Sequence, residues 1–349
     1  MPQGYFHRVM RQTPTRLWIN NPSAQDAKLS IEAGALGCTT NPSYCSKLLE
    51  SEADYLRGVI DQVIKTTEDD DEAADKVYQI ATERIMRLFY PIWKSSGGQD
   101  GYVTMQGDPR RDFDPDHIVK EAMEYRRLGE NFMAKIPMTE HGVKALEVLV
   151  PRGIPVCATE IFSVSQAVCV CEEYQRVAKK SGQHPPFYFT HITGIFDQYV
   201  EGIVKAERID ISPEVLKQAG CAIAREEYRI FKERGYEGVM LGGGARGNHH
   251  FTEMVGVDMY VTINWSMAAD ILKRDLPIVN RIEARAAPEV LQELRQKLPN
   301  FRRAFDEGAL SLREFTDFGP VVLFRTMFLN GWVRLLDEIR ARRHQGDYA

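Results

Sequence analysis

Positive charge is not in excess in this chain, and long apolar runs are absent. Lysine and arginine number 44 against 49 aspartates and glutamates, which gives a formal net charge of -5 at pH 7. Because phosphate backbones and anionic membranes bind basic faces, neither a nucleic-acid partner nor a membrane partner is predicted. No apolar stretch approaches the roughly 20 residues of a membrane helix, and the N-terminal MPQGYFHRVMRQTPTR lacks the apolar core of a signal peptide. These absences predict a cytoplasmic protein.

Metal-binding and disulfide patterns are also missing. The chain has six cysteines, at positions 38, 45, 157, 169, 171 and 221. None follows a CxxC or Cys/His zinc spacing, and most lie in apolar segments. His249 and His250 are adjacent in the sequence, so we expect their side chains to point apart rather than share a metal ion. The sequence therefore predicts reduced structural thiols, no metal site and no cofactor.

The order of strand-like and helical segments predicts the fold. Eight strand-like runs alternate with helical segments: RLWIN, ALGCTTNPS, GYVTMQ, FMAKIP, IPVCAT, PFYFTHI, GVMLGG and MYVTIN. Continuous apolar runs that are each followed by a helix are typical of the buried parallel strands of a (β/α)8 barrel. We predict an α/β protein with the (β/α)8 TIM-barrel fold. Its single domain, 1–349, is expected to contain a barrel core over 15–275 and a C-terminal helical extension over 288–345.

An open doubly wound sheet is the alternative architecture. A dinucleotide-binding sheet of that kind carries GxGxxG directly after its first strand. In this chain the turn after the first strand reads NNPS, and the glycine-rich turn GGGARG comes late. The barrel is therefore favoured.

A lysine lies inside the fourth strand-like run, in the segment NFMAKIPMTEHG. Period-two alternation puts Lys135 on one face with Met133, toward the barrel interior, while Phe132, Ala134 and Ile136 face the outer helices. Burial disfavours the charged ammonium form, and a neutral amine attacks carbonyl groups. Lys135 is therefore predicted to form a Schiff base. The alternative is a lysine whose stem packs on the core while its amine reaches water.

Reactive groups in such barrels collect at the C-terminal ends of the strands. Besides Lys135, the polar residues there are Asn20, Thr40, Asn41, Gln106, Thr159, Thr190 and His191. Thr159 either orients a water or only favours the strand, and His191 is either an acid/base group or a hydrogen-bonded core residue. Glu160 is the only carboxylate directly at a strand end near this set, and by default we expect its side chain to be exposed to solvent. Arg246, in the glycine-rich loop, is either an anion-binding group or a surface arginine.

Several of these segments, in this order, resemble the transaldolase family, which includes the shorter fructose 6-phosphate aldolases. CTTNPS resembles the TTNP signature after the second strand, AKIPMTEHG the Schiff-base lysine segment, and TEIFSVSQA the exit of the fifth strand. The tail GVMLGGGARGN followed by DMYVTIN is also similar. The resemblance covers about residues 15–275, and TTNP and KIPxT at this spacing are more specific together than either is alone.

The resemblance implies a (β/α)8 barrel in which Lys135 forms an imine with the C2 carbonyl of a ketose. Cleavage of the C3–C4 bond then leaves a three-carbon dihydroxyacetone unit on the enzyme. Transfer of this unit to an aldehyde is transaldolase activity, and its release is aldolase activity; both belong to carbohydrate metabolism, including the pentose phosphate pathway. By motif matching, Asn41 contacts the dihydroxyacetone unit, while Thr159 and Gln106 hold a water that carries protons. Thr40, Thr190 and Arg246 are the other expected substrate contacts.

The chain departs from the family pattern at several of these positions. Asn20 stands where the family has the aspartate that transfers protons, and an amide does not take up a proton. Gln106 matches the third-strand acid of transaldolases, as it does in the aldolase subgroup, and Cys157 matches the fifth-strand asparagine. Ile195 matches one of two phosphate-binding arginines, with Arg246 as the candidate for the other. Glu160, His191 or a water is then the expected replacement acid/base.

Three functions remain open on these residues. The first is a transaldolase-like enzyme that acts on a sugar or sugar phosphate, and the second is a lyase of the fructose 6-phosphate aldolase type or another imine-forming aldolase. The third is a catalytically impaired barrel that acts as a carbohydrate-binding, metabolite-binding or regulatory protein. The apolar helix VVLFRTMFLNGWVRLLDEIR is expected either to cap the barrel or to form a homodimer contact.

Overall fold

A computed structural model describes residues 4–346 of the chain, so the predicted domain span of 1–349 extends beyond the described residues at both ends. Eight parallel strands form a closed barrel in which each strand pairs with its sequence neighbours and the last pairs with the first. The strands are β1 Arg16–Asn20, β2 Ala35–Thr39, β3 Val103–Met105, β4 Phe132–Pro137, β5 Val156–Ile161, β6 Phe187–Ile192, β7 Val239–Gly243 and β8 Tyr260–Ile263. The predicted (β/α)8 fold is confirmed.

Helices surround the barrel and follow its strands. They are α1 Tyr5–Gln12, α2 Ala24–Glu32, α3 Tyr44–Ser51, α4 Ala53–Val63, α5 Asp70–Ser95, α6 Pro115–Tyr125, α7 Glu140–Leu149, α8 Val164–Ser181, α9 Thr193–Glu207, α10 Pro213–Leu216, α11 Ala219–Glu233, α12 His249–Thr252, α13 Trp265–Arg274, α14 Pro288–Lys297, α15 Pro299–Phe305 and α16 Gly319–Gly346. Short 3-10 turns occupy Pro109–Arg111, Arg126–Leu128, Val150–Arg152 and Leu312–Glu314.

Local capping explains where two of these helices begin. The Ser23 side chain accepts a hydrogen bond from the Asp26 backbone N–H, and the Asp26 carboxylate accepts one from the Ser23 backbone N–H. The Ser163 side chain likewise accepts from the Gln166 N–H at the start of α8. The second N-cap fixes the point where the chain leaves β5.

Alternation along β4 separates two layers of side chains. Met133 belongs to a cluster inside the barrel that also holds Trp18, Tyr102, Cys157, Tyr188 and Leu241. Phe132, Ala134 and Ile136 pack instead into the larger core between the strands and the outer helices. The predicted facing of the strand is therefore confirmed, and the interior cluster fills the barrel on the N-terminal side of Lys135.

The long helix α16 covers the C-terminal end of the barrel. It packs against α3, α5 and α9, and Phe324, Met327 and Phe328 reach the cavity at the ends of the strands. Of the two roles expected for this helix, capping is therefore observed. A homodimer contact stays a prediction.

All six cysteines are free thiols, as the sequence predicts. Within residues 4–346, none of the helices combines the length and apolar character needed to cross a membrane.

Candidate active site

Lys135 lies inside the barrel, with only 6% of its surface exposed. Its Nζ donates a long hydrogen bond of 3.5 Å to the Thr40 backbone oxygen. On the other side Nζ lies 5.6 Å from the centre of the Phe328 ring, which belongs to α16. Burial lowers the pKa of Lys135, opposed more weakly by Cys157, Glu160 and Cys38. Burial therefore shifts the amine toward the neutral form, which is the form that attacks carbonyl carbons.

A cavity of about 140 Å³ adjoins this amine at the C-terminal ends of the strands. Asn20, Asn41, Thr190 and Arg246 line it together with Lys135, as do the three α16 side chains already named. Two larger clefts, of about 570 and 700 Å³, lie among charged helix residues on the outside of the barrel. The smaller cavity is the candidate active site because a buried lysine lines it and because active sites of this fold form at this end of the barrel.

The chain leaves β5 through a strained residue, Glu160. Its φ is 64°, in the left-handed region that residues other than glycine rarely occupy, and the register with β6 is irregular between Ala158 and Ile161. Because of this kink, the strict alternation of the strand is broken, and the carboxylate reaches Gln106 at the end of β3. Glu160 is completely buried, contrary to the solvent exposure expected by default. Strain of this kind in a non-glycine residue recurs at functional sites.

The buried carboxylate of Glu160 is held by Gln106. Gln106 Nε2 donates to Glu160 Oε1 at 2.9 Å, while Glu160 Oε2 and Gln106 Oε1 have no hydrogen-bond partner among residues 4–346. Burial raises the pKa of Glu160, and the Gln106 hydrogen bond, Lys135 and Arg325 oppose that rise. Thr159 Oγ1 is buried and also unpaired within the described part of the chain. These three residues do not line the cavity of about 140 Å³; Gln106 and Lys135 instead share a void of about 10 Å³ beside it. Their free acceptors and donor are therefore buried next to the cavity rather than in its wall.

A second buried carboxyl lies close to Glu160. Asp112, from the loop after β3, is nearly fully buried, and burial together with the Glu160 charge raises its pKa well above the ordinary value. Arg325 of α16 approaches Asp112 Oδ2 with its Nε at 3.6 Å and donates to the Pro109 backbone oxygen at 3.1 Å. The C-terminal helix therefore brings a positive charge to the two acids. Neither Asp112 nor Arg325 carries a sequence signal for this role, because both lie outside the strand ends.

The side chains at the ends of β1 and β2 form two hydrogen-bonded pairs. Thr39 Oγ1 donates to Asn20 Oδ1 at 3.0 Å, and Asn21 Nδ2 donates to Asn41 Oδ1 at 3.1 Å. Thr40 turns the other way, since its hydroxyl donates to the Thr104 backbone oxygen and contacts the Tyr78 hydroxyl. The Thr40 side chain therefore faces the outer helices, and Thr39 takes its place in the cavity wall.

The hydrogen-bond partners of His191 lie outside the barrel wall, away from the cavity. It is completely buried, with Nδ1 2.9 Å from Glu227 Oε1 and Nε2 3.1 Å from the Gly220 backbone oxygen. Glu227 and Gly220 both belong to α11, outside the barrel wall. Since both ring nitrogens already have partners there, His191 offers no free nitrogen to the cavity.

Thr190 and Arg246 are both in the cavity wall. Thr190 Oγ1 contacts Cys157 Sγ at 3.2 Å, which fixes the hydroxyl beside the strand that carries Thr159. Arg246 lies at the exposed rim, where its Nε donates to Gln198 Oε1 at 2.8 Å. Ile195, in contrast, is completely buried and packs against Gly244 rather than lining the cavity.

His249 and His250 do not point apart, so that sequence expectation is wrong. Their rings are 3.8 Å apart, and their Nε2 atoms lie 3.8 and 2.7 Å from Asp197 Oδ2. The residues share the very short helix α12, where the local backbone rather than ideal helical spacing sets their directions. His250 Nδ1 accepts from two backbone N–H groups, so Nε2 carries the proton that binds Asp197. A metal ion at this trio would have to displace that proton.

Comparison with known proteins decides the family. The model of the transaldolase/fructose-6-phosphate aldolase family matches residues 17–312. This chain belongs to the transaldolase/fructose-6-phosphate aldolase family.

Curated relatives are consistent with this membership. A transaldolase of Thiobacillus denitrificans is 28% identical over 328 residues, which cover 87% of this chain and 88% of that protein. A transaldolase of Mycobacterium ulcerans is 29% identical over 213 residues, which cover 57% of this chain and 55% of that protein. The solved methanol:cobalamin methyltransferase complex MtaBC from Methanosarcina barkeri covers 76% of this chain and 77% of its own at 12% identity. The TM-score of that match is 0.34.

Family membership makes the position of the carboxylates informative. Where the resemblance to transaldolases implies an acid at the end of β3, this chain has the amide of Gln106, and where it implies an aspartate after β1 it has Asn20. Glu160 comes from β5 and reaches the amide of Gln106 directly. A buried carboxylate that interacts electrostatically with Lys135 in this chain thus comes from β5.

Proposed function

We propose that this protein is a Schiff-base enzyme of transaldolase or aldolase type. In it, Lys135 attacks the carbonyl carbon of a ketose, and a three-carbon dihydroxyacetone unit is transferred or released. The observation that carries the proposal is the buried Lys135 with its lowered pKa, beside the buried carboxylate of Glu160. A nucleophilic amine and a proton-transfer group in one closed site are the two requirements of this chemistry.

Imine formation uses the amine first. The Lys135 nitrogen forms a bond to C2 of the ketose, and the carbonyl oxygen becomes a hydroxyl. That hydroxyl then leaves as water, with one proton supplied by an acid and one lost from nitrogen during the preceding steps. Thr159 and Gln106 are the groups we assign to holding the water that carries these protons, because Thr159 Oγ1 and Gln106 Oε1 have no other partner in the described chain.

Carbon–carbon cleavage then needs a base. We assign this role to Glu160, which takes the proton of the C4 hydroxyl as the C3–C4 bond breaks and its electrons move into the iminium. An aldehyde leaves, and a three-carbon enamine remains on Lys135. A carboxylate with a raised pKa is a stronger base than an ordinary surface carboxylate, so it takes up that proton more readily. Asn20 does not share this task because an amide does not take up a proton, and its oxygen accepts a hydrogen bond from the Thr39 hydroxyl.

Substrate binding falls to the cavity wall. Asn41 and Thr190 offer an amide and a hydroxyl to the hydroxyl groups of a dihydroxyacetone unit, and Arg246 lies at the rim where the far end of a sugar would be. The substrate class is therefore a sugar or a sugar phosphate.

Turnover of fructose 6-phosphate, with and without an aldose phosphate as acceptor, tests the proposal. Release of an aldehyde without acceptor would identify a lyase, and turnover only with acceptor would identify a transferase. Lys135→Met should abolish either reaction, whereas Lys144→Met, on exposed α7, should not. Ligand binding that survives Lys135→Met, with no cleavage by the wild type over a panel of ketoses, would contradict the proposal and favour a binding protein.

A further inference from the structure

Asp197 and His250 connect helix α9 to the loop between β7 and α12. Asp197 Oδ2 accepts from His250 Nε2 at 2.7 Å, and Asp197 Oδ1 accepts from the Gly220 backbone N–H at 2.7 Å. His250 Nδ1 accepts from the backbone N–H groups of Arg246 at 2.9 Å and Gly247 at 3.1 Å. Both Asp197 and His250 are buried. None of these contacts takes part in the chemistry assigned to Lys135.

The hydrogen bonds fix the protonation state of the imidazole. Two N–H donors meet at Nδ1, so this nitrogen must present its lone pair. The proton of the neutral ring is therefore on Nε2, where it points at the Asp197 carboxylate. An imidazolium would place an N–H group against two other N–H groups.

The loop that carries Arg246 is also packed closely against helix α9. A Cβ on Gly194, in the first turn of α9, would lie 2.6 Å from Gly244 O and 2.7 Å from the Arg246 nitrogen. Such distances require a glycine. The backbone that carries Arg246 is thus held by the ring of His250 on one side and by α9 on the other.

Arg246 itself has no acidic partner in the described part of the chain. Its guanidinium donates to Gln198 Oε1 at 2.8 Å and to the Ala245 backbone oxygen at 3.1 Å, both of which are neutral. The same side chain lines the cavity that Lys135 adjoins. A guanidinium that faces a cavity without a carboxylate binds anions such as phosphate or sulfate, because nothing nearby neutralises it.

We propose that Asp197 and His250 are positioning residues for Arg246, and that their hydrogen bonds hold its loop in the conformation that binds the anionic group of the substrate. The proposal rests on the proposed function for the assignment of the cavity to a sugar substrate. The hydrogen-bonded support of the anion site is independent of whether Lys135 forms an imine.

The arrangement predicts that anion binding weakens at acid pH. Burial lowers the pKa of His250, and the charges of His249 and Arg246 lower it further, while Asp197 opposes them. The neutral ring and its two accepted hydrogen bonds are therefore present at neutral pH. As the pH falls through the pKa of the folded protein, Nδ1 gains a proton and the loop loses both bonds.

Sulfate is the probe that separates this effect from titration of the ligand, since its charge is constant between pH 5 and pH 8. We expect calorimetry to show sulfate binding to the wild type that Arg246→Met abolishes. His250→Phe removes two hydrogen bonds to the loop and should weaken sulfate binding about tenfold. His250→Asn keeps an acceptor near the position of Nδ1, so it should restore most of the affinity and remove the acid-dependent loss.

Two further variants distinguish positioning from a general loss of structure. His249→Phe is the matched control for sulfate affinity at neutral pH, because the His249 ring lies 3.8 Å from the His250 ring at an angle of 41° and accepts no hydrogen bond from the loop in the described part of the chain. Asp197→Asn removes the charge that raises the His250 pKa, so the midpoint of the acid loss should move to lower pH. For a phosphorylated ketose, His250→Phe should raise KM more than it lowers kcat.

Three results would overturn the inference. Absence of sulfate binding to the wild type would show that there is no anion site at Arg246. Equal sulfate affinity of His250→Phe and the wild type would show that His250 does not position Arg246. An acid loss that persists unchanged in His250→Asn would show that another group titrates. Failure of the proposed function is recognised separately, by absent cleavage while sulfate binding still depends on His250.

Discussion

The side-chain amide of Gln106 donates to the carboxylate of Glu160 at 2.9 Å, across the strand that carries Lys135. Gln106 follows β3 and Glu160 lies in β5, so the bond joins the two strands that flank β4. The resemblance to transaldolases implies an acid at the position of Gln106. The pair therefore brings one carboxylate and one amide near the lysine, and in this chain the carboxylate comes from β5.

Replacement of Glu160 by glutamine should remove the general base while keeping the size of the side chain. We expect kcat to fall by roughly a hundred- to ten-thousandfold, the usual contribution of a positioned acid/base group. Steady-state turnover of a ketose phosphate measures the effect. A fall of less than threefold would show that another group transfers the proton.

Exchange of the side chains of Gln106 and Glu160 tests whether the carboxylate can act from either strand. In Gln106→Glu/Glu160→Gln, the carboxylate stands on β3 and the amide on β5, and the hydrogen bond between them is formed in the reverse direction. We expect the double variant to be at least tenfold more active than Glu160→Gln alone, because a carboxylate is again near Lys135. If the double variant is no more active than the single one, the carboxylate must stand on β5.

Arg325 should tune the pH dependence of turnover from the C-terminal helix. Burial raises the pKa of Glu160, so the ionised base is lost as the pH falls through a value above the ordinary 4.5, and Arg325 opposes that rise. Arg325→Met should therefore move the acid limb of kcat/KM to higher pH. Arg334→Met, on the same helix but paired with Glu50 at the surface, is the control and should leave the limb in place. Coincident profiles for Arg325→Met and wild type would contradict this account.

Lys135 should lower the stability of the fold that it serves. Its folded pKa lies below the ordinary 10.5, so below that pH the unfolded chain binds the proton more tightly and stability falls as the pH falls. Lys135→Met should raise the free energy of unfolding by about 1–3 kcal/mol at neutral pH, since a buried and poorly hydrogen-bonded polar group is removed. Urea unfolding at several pH values measures this gain. The gain should shrink as the pH approaches 10.5, and a gain that does not depend on pH would refute its electrostatic origin.

The barrel and the place of Lys135 follow from local patterns in the sequence. Eight apolar runs of strand length, each followed by a helix, leave few architectures, and alternation along β4 separates Lys135 and Met133 from Phe132, Ala134 and Ile136. These relations depend on near neighbours in the chain. They are therefore visible before any tertiary contact is known.

The rest of the site depends on contacts that no local pattern carries. Glu160 breaks the alternation of β5 because its backbone is in the left-handed region, and nothing in TEIFS signals that kink. Thr39 rather than Thr40 faces the cavity, which requires the end of β2 to be known within one residue. The approach of Phe328 and Arg325 depends on how α16 crosses the barrel, and an amphipathic pattern predicts only that the helix packs somewhere.

Borohydride reduction in the presence of dihydroxyacetone tests the central claim most directly. Reduction converts an imine at Lys135 into a stable secondary amine, which peptide mass spectrometry locates. We predict a single three-carbon adduct on the peptide that contains Lys135, its absence in Lys135→Met, and its persistence in Lys144→Met. An unmodified Lys135 after treatment with dihydroxyacetone and a panel of ketoses, or an adduct spread over surface lysines, would contradict the assignment of Lys135 as the nucleophile.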